Sequence, residues 1–157
     1  MRRTFKLTVF DKAGTLNRLT STFVRRQFNI VNITAGPTLE AGVTEITFVA
    51  EVPDDQVLRT IIQQLKKQVN TLTVEDITDT NTFNSELLLI KLNQPENHTQ
   101  FTHVLNDYQS QVTLLKEDDS TLYLQAVGPQ DTLDQLLEDL TAFGIQQISR
   151  TGTAAIV

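Results

Sequence analysis

The sequence predicts an α+β fold made of two consecutive βαββαβ units. Apolar and polar residues alternate over residues 4–9 and then change to helical spacing at Leu16, as expected where a half-buried strand leads into an amphipathic helix. A polar stretch at 79–82 divides the chain, and the same order of strands and helices recurs beyond it. Each predicted helix is too short to be stable alone, so we expect each to cover one face of a four-stranded antiparallel sheet.

The first unit opens with a strand whose inward side chains are Phe5, Leu7 and Val9. The helix that follows carries Leu19 and Phe23 on one face, which is the apolar stripe that packs on a sheet.

Turn residues and apolar patterns define the rest of the first unit. Ala41-Gly42 is a hairpin turn signal, and Pro53-Asp54-Asp55 marks a helix start at which Asp stabilises free N–H groups. The predicted strands are 28–35, 43–51 and 72–77. The apolar stripe of the second helix is Val57, Leu58, Ile61, Ile62, Leu65 and Val69.

The predicted domain bounds are 1–78 and 85–157, with a link at 79–84. The second unit begins with a Leu- and Ile-rich strand at 87–92, which we expect to be buried on both faces. Its other strands are predicted at 111–116, 121–127 and 145–150, with an acidic hairpin tip at 117–120. Its two helices carry the apolar sets Phe101, Val104, Leu105, Tyr108 and Leu133, Leu136, Leu137, Leu140.

Composition indicates an ordinary globular protein. The 157 residues are 39% hydrophobic and 20% charged, and no apolar run approaches the roughly 18–20 residues of a membrane span. The absence of Cys excludes a disulfide framework and thiolate chemistry, and we expect a cytoplasmic location. The net charge is −6, yet seven of the thirteen basic residues and only one acid lie in residues 1–30. Such a basic segment marks either a docking face or simple solvation of one helix.

The turn between the first strand and helix is the candidate binding site. Gly14 allows close approach of the backbone to a ligand, and the free N–H groups of a helix start attract an anion. Asp11 adds a negative charge beside them. An anion site next to a carboxylate suits a zwitterion such as an amino acid. The alternative, that Gly14 serves only the turn and Asp11 is only a solvated acid, stays open from these residues alone.

Catalytic residues are not apparent in the sequence. His98 and His103 would lie ~140° apart around a helix, so they cannot share a metal ion, and we expect both to be exposed. No nucleophile elbow, phosphate loop or dinucleotide motif occurs. The adjacent acids at 54–55, 118–119 and 138–139 are explained by a helix start, a hairpin tip and a solvated helix face. We therefore expect no catalysis by this chain alone.

Binding of nucleic acid is a weaker alternative. RNA-binding modules of this architecture stack bases on aromatic residues of the central strands. Here the third strand has one aromatic residue, Phe48, together with Glu45, and the chain beyond residue 30 is acidic.

Several motifs resemble the family of small regulatory subunits of acetohydroxyacid synthase (acetolactate synthase). The resemblance covers nearly the whole chain. Its motifs are Met1-Arg2-Arg3, Ala13-Gly14-Thr15-Leu16-Asn17-Arg18, Phe23, Arg26, Phe28-Asn29-Ile30, Thr34, Pro37-Thr38, Glu86-Leu87-Leu88-Leu89-Ile90-Lys91 and Ser149-Arg150-Thr151-Gly152. An A-G-x-L element alone would indicate only some ACT domain, and its combination with the other motifs is much more specific.

The resemblance implies two ferredoxin-like domains in tandem, an N-terminal ACT domain and a C-terminal ACT-like domain. It also implies a homodimer that binds a branched-chain amino acid, usually valine, between two ACT domains. The implied ligand residues are Asp11, Ala13, Gly14, Thr15 and Leu16, with Asn29 and Ile30 from the neighbouring chain. The α-carboxylate would sit on the backbone N–H groups around Gly14, Thr15 and Leu16.

The family resemblance also implies a partner. Such subunits have no catalytic residues and no cofactor of their own. They activate a large catalytic subunit that carries thiamine diphosphate, Mg²⁺ and FAD and condenses pyruvate with pyruvate or 2-oxobutyrate, and valine limits the activation. The alternative is a free-standing ACT sensor that regulates another protein.

Two residues depart from the family pattern, and three suggest a docking face. Asp11 stands where the family usually has Asn, and an ionised Asp cannot donate to a carboxylate, so we expect weak or altered valine sensitivity. Gln27 replaces a Gly, so we expect the helix exit to be shaped differently, without a glycine in the left-handed conformation. Arg18, Arg25 and Arg26 are the candidate contacts to the catalytic subunit.

Overall fold

The computed structural model describes residues 1–78 and 81–157, so positions 79 and 80 of the predicted link lie outside the described residues. The described residues form two compact units. Residues 1–83 together with 153–157 form the first, and residues 84–152 form the second.

The first unit is a four-stranded antiparallel sheet with two helices. Its elements are β1 (Arg2–Phe10), α1 (Thr15–Val24), β2 (Ile30–Pro37), β3 (Val43–Glu51), α2 (Asp55–Lys66) and β4 (Thr71–Asp76). The strand order is β2-β3-β1-β4, and the predicted βαββαβ order is confirmed. Phe5 and Leu7 of β1 pack with Leu19 and Phe23 of α1 in one buried core. The alternation in β1 therefore places the helices on one face of the sheet.

Pairing between β1 and β3 brings two distant segments to the edge where α1 begins. Val9 lies opposite Thr44, and Phe10 lies opposite Val43.

The Asp54 side chain accepts from the Val57 N–H at 2.8 Å, so the predicted Asp cap of α2 is confirmed.

A short strand near the C-terminus, β9 (Ala154–Ile156), was not predicted. Thr153 and Ala155 are buried in the first unit. The Lys6 ammonium donates to the Ala155 carbonyl at 3.0 Å and pairs with Glu45 at 2.9 Å. A lysine in β1 therefore holds the end of the chain on the open face of the first sheet.

The second unit repeats the order of elements. They are β5 (Phe83–Asn93), α3 (His98–Asp107), β6 (Val112–Glu117), β7 (Thr121–Gly128), α4 (Gln130–Leu140) and β8 (Ile145–Arg150), with a 3₁₀ turn at Thr141–Phe143. The sheet order is β6-β7-β5-β8. The predicted α+β fold of two βαββαβ units is thus confirmed. None of the described helices is long and apolar enough to cross a membrane.

The expectation that β5 is buried on both faces is wrong. Leu88, Ile90 and Leu92 are buried, whereas Leu89 is 40% exposed. The helices of this unit cover one face of its sheet, so alternate residues of β5 stay accessible.

Arg150 links three elements of the second unit. Its guanidinium donates to both carboxylate oxygens of Glu86, at 2.7 and 2.9 Å, and to Asp134 at 2.6 Å. The Glu86 side chain is only 1% exposed. The hydrogen bonds that the guanidinium donates to Glu86 are the main cause that raises the pKa of Arg150 above its ordinary value. Two residues of the family motifs therefore form a nearly buried ion pair.

We predict that Arg150→Leu lowers the free energy of unfolding by about 3 kcal/mol, because it leaves the Glu86 charge buried without its partner. Urea denaturation measures the change. The control is Lys116→Leu, which removes the cation of the exposed Lys116–Asp118 pair and should have little effect. Equal, small effects of the two substitutions would show that the Arg150 cluster stabilises no more than an exposed pair.

Candidate functional site

A glycine turn connects β1 to α1. The Asp11 N–H donates to the Gly42 carbonyl at 2.8 Å, and the Lys12 N–H donates to the Phe10 carbonyl at 2.9 Å. Gly14 caps α1 in the left-handed conformation, with φ 82°. The chain therefore reverses from strand to helix through a residue for which glycine has no steric penalty.

The first turn of α1 leaves backbone donors free. Within residues 1–78 and 81–157, the N–H groups of Ala13, Gly14, Leu16 and Asn17 have no hydrogen-bond acceptor, and no side chain caps the helix. The Thr15 N–H is not free, because it donates to the Lys12 carbonyl at 3.1 Å. Four free donors at the positive end of a helix form a site for an anion.

A groove of about 640 Å³ lies against this helix start. Its apolar lining is Val9, Phe10, Leu16, Ala35 and Ile46, and its polar lining is Asp11, Lys12, Gly14, Thr15, Asn17, Thr20 and Thr44. An apolar cleft with a few polar groups at one end is typical of small-molecule sites. This arrangement can hold a small molecule that has one carboxylate and an apolar side chain.

The residues expected from the sequence divide into two places. Asp11, Gly14, Thr15 and Leu16 line the groove, and Ala13 lies in the turn. Asn29 and Ile30 lie outside the groove of the same chain. Asn29 belongs to a separate depression beside Phe28 and Glu51, and Ile30 begins β2.

Sequence reasoning did not name Val9, Phe10, Lys12, Asn17 and Thr20 as ligand contacts, although they lie on β1, the turn and α1. It also missed three groove residues from other strands: Ala35, Thr44 and Ile46. They come from β2 and β3, and only the register of the strands brings them to the end of β1. Val9 opposite Thr44 is the pairing that does so. The Gly42 turn signal was the one local indication, because it sets where β3 begins.

The expectation about the exit of α1 is wrong. Gln27 itself adopts the left-handed conformation, with φ 58°. Its N–H donates to the Val24 carbonyl at 3.0 Å, and the Phe28 N–H donates to the Phe23 carbonyl at 3.1 Å. These are the two bonds of a Schellman motif. The helix ends as it would with Gly at this position, because hydrogen bonding offsets the strain of a non-glycine residue.

The basic residues of α1 and its exit are accessible. Arg18, Arg25 and Arg26 are all exposed, and the Arg26 Nε donates to the exposed Gln64 side chain at 3.1 Å. They are available to an acidic partner.

In the second unit, the corresponding helix, α3, has a side-chain cap at its start. The Asn97 side chain accepts from the Gln100 N–H at 3.0 Å at the start of α3. The Gln94 amide donates to Glu117 at 2.8 Å and to the Asp118 carbonyl at 2.9 Å. Because Asn97 supplies an oxygen to the first turn of α3, this helix start is less suited than that of α1 to receive an anion.

The described part of the chain has no cluster of histidines and acids that could hold a metal ion. No group of three or more His, Asp or Glu with metal-binding geometry occurs among those residues. His98 and His103 are exposed, as predicted, and His103 faces Asp107 at 4.0 Å.

Comparison with known proteins matches both units. A family model for the AHAS small subunit-like ACT domain matches residues 5–73, and one for the small subunit of acetolactate synthase matches residues 85–157. The chain is 36% identical to the acetolactate synthase small subunit of Bacillus subtilis, over 99% of this chain and 90% of that protein. It is 32% identical to the probable acetolactate synthase small subunit of Methanothermobacter thermautotrophicus, over 94% and 88%.

A solved structure has the same fold. The crystal structure of the acetolactate synthase small subunit from Thermotoga maritima superposes with a TM-score of 0.82 at 21% identity, covering 99% of this chain and 96% of that one.

We predict that Gly14→Ala lowers the free energy of unfolding by about 1–2 kcal/mol, because a left-handed non-glycine residue is strained. No atom lies within 4 Å of a Cβ at Gly14, so the cost is conformational and not a clash. The control is Gly36→Ala, which has equal space and no left-handed φ. Thermal unfolding compares the two, and an equal change would mean that the turn imposes no constraint.

Proposed function

The chain belongs to the acetolactate synthase small-subunit family of regulatory ACT-domain proteins, and we propose that it activates a separate catalytic subunit and makes that activity sensitive to valine. The observation that carries this proposal is the uncapped first turn of α1, with its four free N–H groups over an apolar groove. This combination matches the two ends of a branched-chain amino acid.

In the proposed complex, the α-carboxylate of valine accepts from the free N–H groups of the turn. Its isopropyl group packs on Val9, Leu16 and Ile46, which is the apolar side of the groove. Asp11 attracts the ammonium group, since an ionised carboxylate only accepts hydrogen bonds. The same charge repels the ligand carboxylate if it comes within reach, so we expect valine to bind more weakly than with Asn at this position.

We place Asn29 and Ile30 in the site of a second copy of the chain. Within one copy they lie apart from the groove, and β2 is an edge strand of the first sheet. Pairing of two such edges would cover unpaired backbone groups and form a symmetric dimer. The proposal is therefore a homodimer through the ACT domains, with residues of both chains around each ligand.

The proposed catalytic subunit supplies the reaction chemistry. It would carry thiamine diphosphate, Mg²⁺ and FAD in the cytoplasm, and this chain would contribute no catalytic residue and no cofactor. Exposed Arg18, Arg25 and Arg26 offer a basic face to it.

Reconstitution tests the proposal. The chain is mixed with the catalytic subunit, and acetolactate formation is measured with and without valine. We expect activation by the chain and a reduction of that activation by valine. Valine binding without any effect on the catalytic subunit would indicate a free-standing sensor, and no effect of either would contradict the proposal.

We predict that Asp11→Asn lowers the valine concentration for half-maximal inhibition about tenfold, which corresponds to about 1.4 kcal/mol. The amide removes the repulsion of the ligand carboxylate and can donate to it, while activation stays unchanged. The control is Asp119→Asn, the same exchange at an exposed position of the second unit. The prediction would be contradicted if valine inhibited the enzyme reconstituted with the unaltered chain tightly and Asp11→Asn left that inhibition unchanged.

We predict that Arg26→Glu abolishes or slows activation of the catalytic subunit, because it reverses a charge on the proposed docking face. Arg59→Glu makes the same exchange at an exposed position on α2 and should keep activation. Activation is measured over a range of salt concentrations. If Arg26→Glu changes neither activation nor its salt dependence, the arginines only face solvent and do not contact the catalytic subunit.

A further inference from the structure

Asn70 lies outside the groove, in the loop that joins α2 to β4. Its backbone is in the left-handed region, with φ 74°, and the Thr71 N–H closes the loop on the Gln68 carbonyl at 3.2 Å. Asn tolerates this conformation better than most residues. This conformation directs the Asn70 carbonyl towards the end of β1 and the Asn70 side-chain amide towards the start of α1.

Two hydrogen bonds join Asn70 to the two ends of the turn, and a third joins those ends to each other. The Phe10 N–H donates to the Asn70 carbonyl at 2.8 Å. The Asn70 Nδ2 donates to the Thr15 hydroxyl at 3.2 Å. The Thr15 hydroxyl in turn donates to the Phe10 carbonyl at 3.3 Å. The last residue of β1 is thereby fixed to the Asn70 backbone carbonyl, and the first residue of α1 is fixed to the Asn70 side-chain amide.

Thr15 is 4% exposed, so its hydroxyl exchanges little with water. With Asn70 as its donor, that hydroxyl has its own hydrogen directed at the Phe10 carbonyl. A buried hydroxyl that both accepts and donates in this way favours one geometry. Between Phe10 and Thr15 lies the turn that carries the free N–H groups of Ala13 and Gly14.

We propose that Asn70 is a positioning residue that acts through Thr15 to hold the N–H groups of the α1 turn in place for the carboxylate of an amino acid. This inference rests on the proposed function, because it assumes that valine binds at the turn. Asn70 does not itself line the groove, so its effect on the ligand passes through Phe10 and Thr15, which do.

The same loop contains a matched reference bond. The Gln68 Nε2 donates to the Thr22 hydroxyl at 3.2 Å, and Thr22 is 5% exposed. Donor type, acceptor type, distance and burial are alike in the two bonds. Thr22 lies in the last turn of α1, away from the turn that precedes the helix. We therefore expect loss of either bond to have a similar effect on stability, and only loss of the Asn70 bond to change the affinity for the ligand.

The experiment compares valine binding by isothermal titration calorimetry in the unaltered chain, Asn70→Gly and Gln68→Ala. Glycine at position 70 keeps the backbone conformation and the carbonyl and removes only the side-chain donor. We expect Asn70→Gly to raise the valine Kd about tenfold, as for loss of one hydrogen bond to a charged group. Gln68→Ala should leave the Kd unchanged while lowering the melting temperature to a similar extent.

Thr15 variants give a second, independent measurement. Thr15→Ser keeps the hydroxyl and should retain valine affinity, whereas Thr15→Ala should match Asn70→Gly. The double variant should lose no more than either single variant, because both act through one network. Binding of valinamide, which lacks the carboxylate, should fall less than binding of valine in every weakened variant.

Each outcome decides the inference. Valine binding in the unaltered chain with equal Kd values for Asn70→Gly and Gln68→Ala overturns it and leaves the proposed function intact. Equal losses for valine and valinamide also overturn it, since they indicate general loosening of the fold. No binding of valine by the unaltered chain overturns the inference and the proposed function together.

Discussion

The structure of the site depends on a helix that begins without a cap. A helix start exposes backbone donors that must be satisfied by a side chain, water or a ligand. In the same chain Asp54 and Asn97 satisfy this requirement for α2 and α3, whereas α1 starts after Gly14 without a side-chain acceptor. The missing cap leaves a partial positive charge at the head of an apolar groove. In the proposed complex, affinity for a carboxylate would thus arise from backbone geometry, with little need for a charged side chain.

The two units share one architecture and differ at the turn before their first helix. Both contain a strand, a turn and a helix in the same order, and both sheets have the same connectivity. In the second unit, the Asn97 side chain accepts a hydrogen bond from the first turn of α3. In the first unit, the left-handed Gly14 stands before α1 and no side chain caps that helix. The family models assign the two units to different domain types, which agrees with this difference.

Much of the fold could be predicted, because strand alternation and helical stripes are local signals. The turn at Gly14 was predicted for the same reason, since glycine marks a left-handed residue. Features that depend on tertiary packing could not be predicted. Exposure of Leu89 depends on which sheet face the helices cover, and the groove residues Thr44 and Ile46 depend on strand register. Asn70 gave no signal, because its role appears only when β4 is placed beside β1.

The most direct test is an NMR titration of the chain with valine that follows the backbone amide chemical shifts. If the uncapped turn holds the carboxylate, the amides of Ala13, Gly14, Leu16 and Asn17 shift together and saturate at the same valine concentration. Saturating shifts elsewhere in the chain with these four amides unchanged would contradict the account.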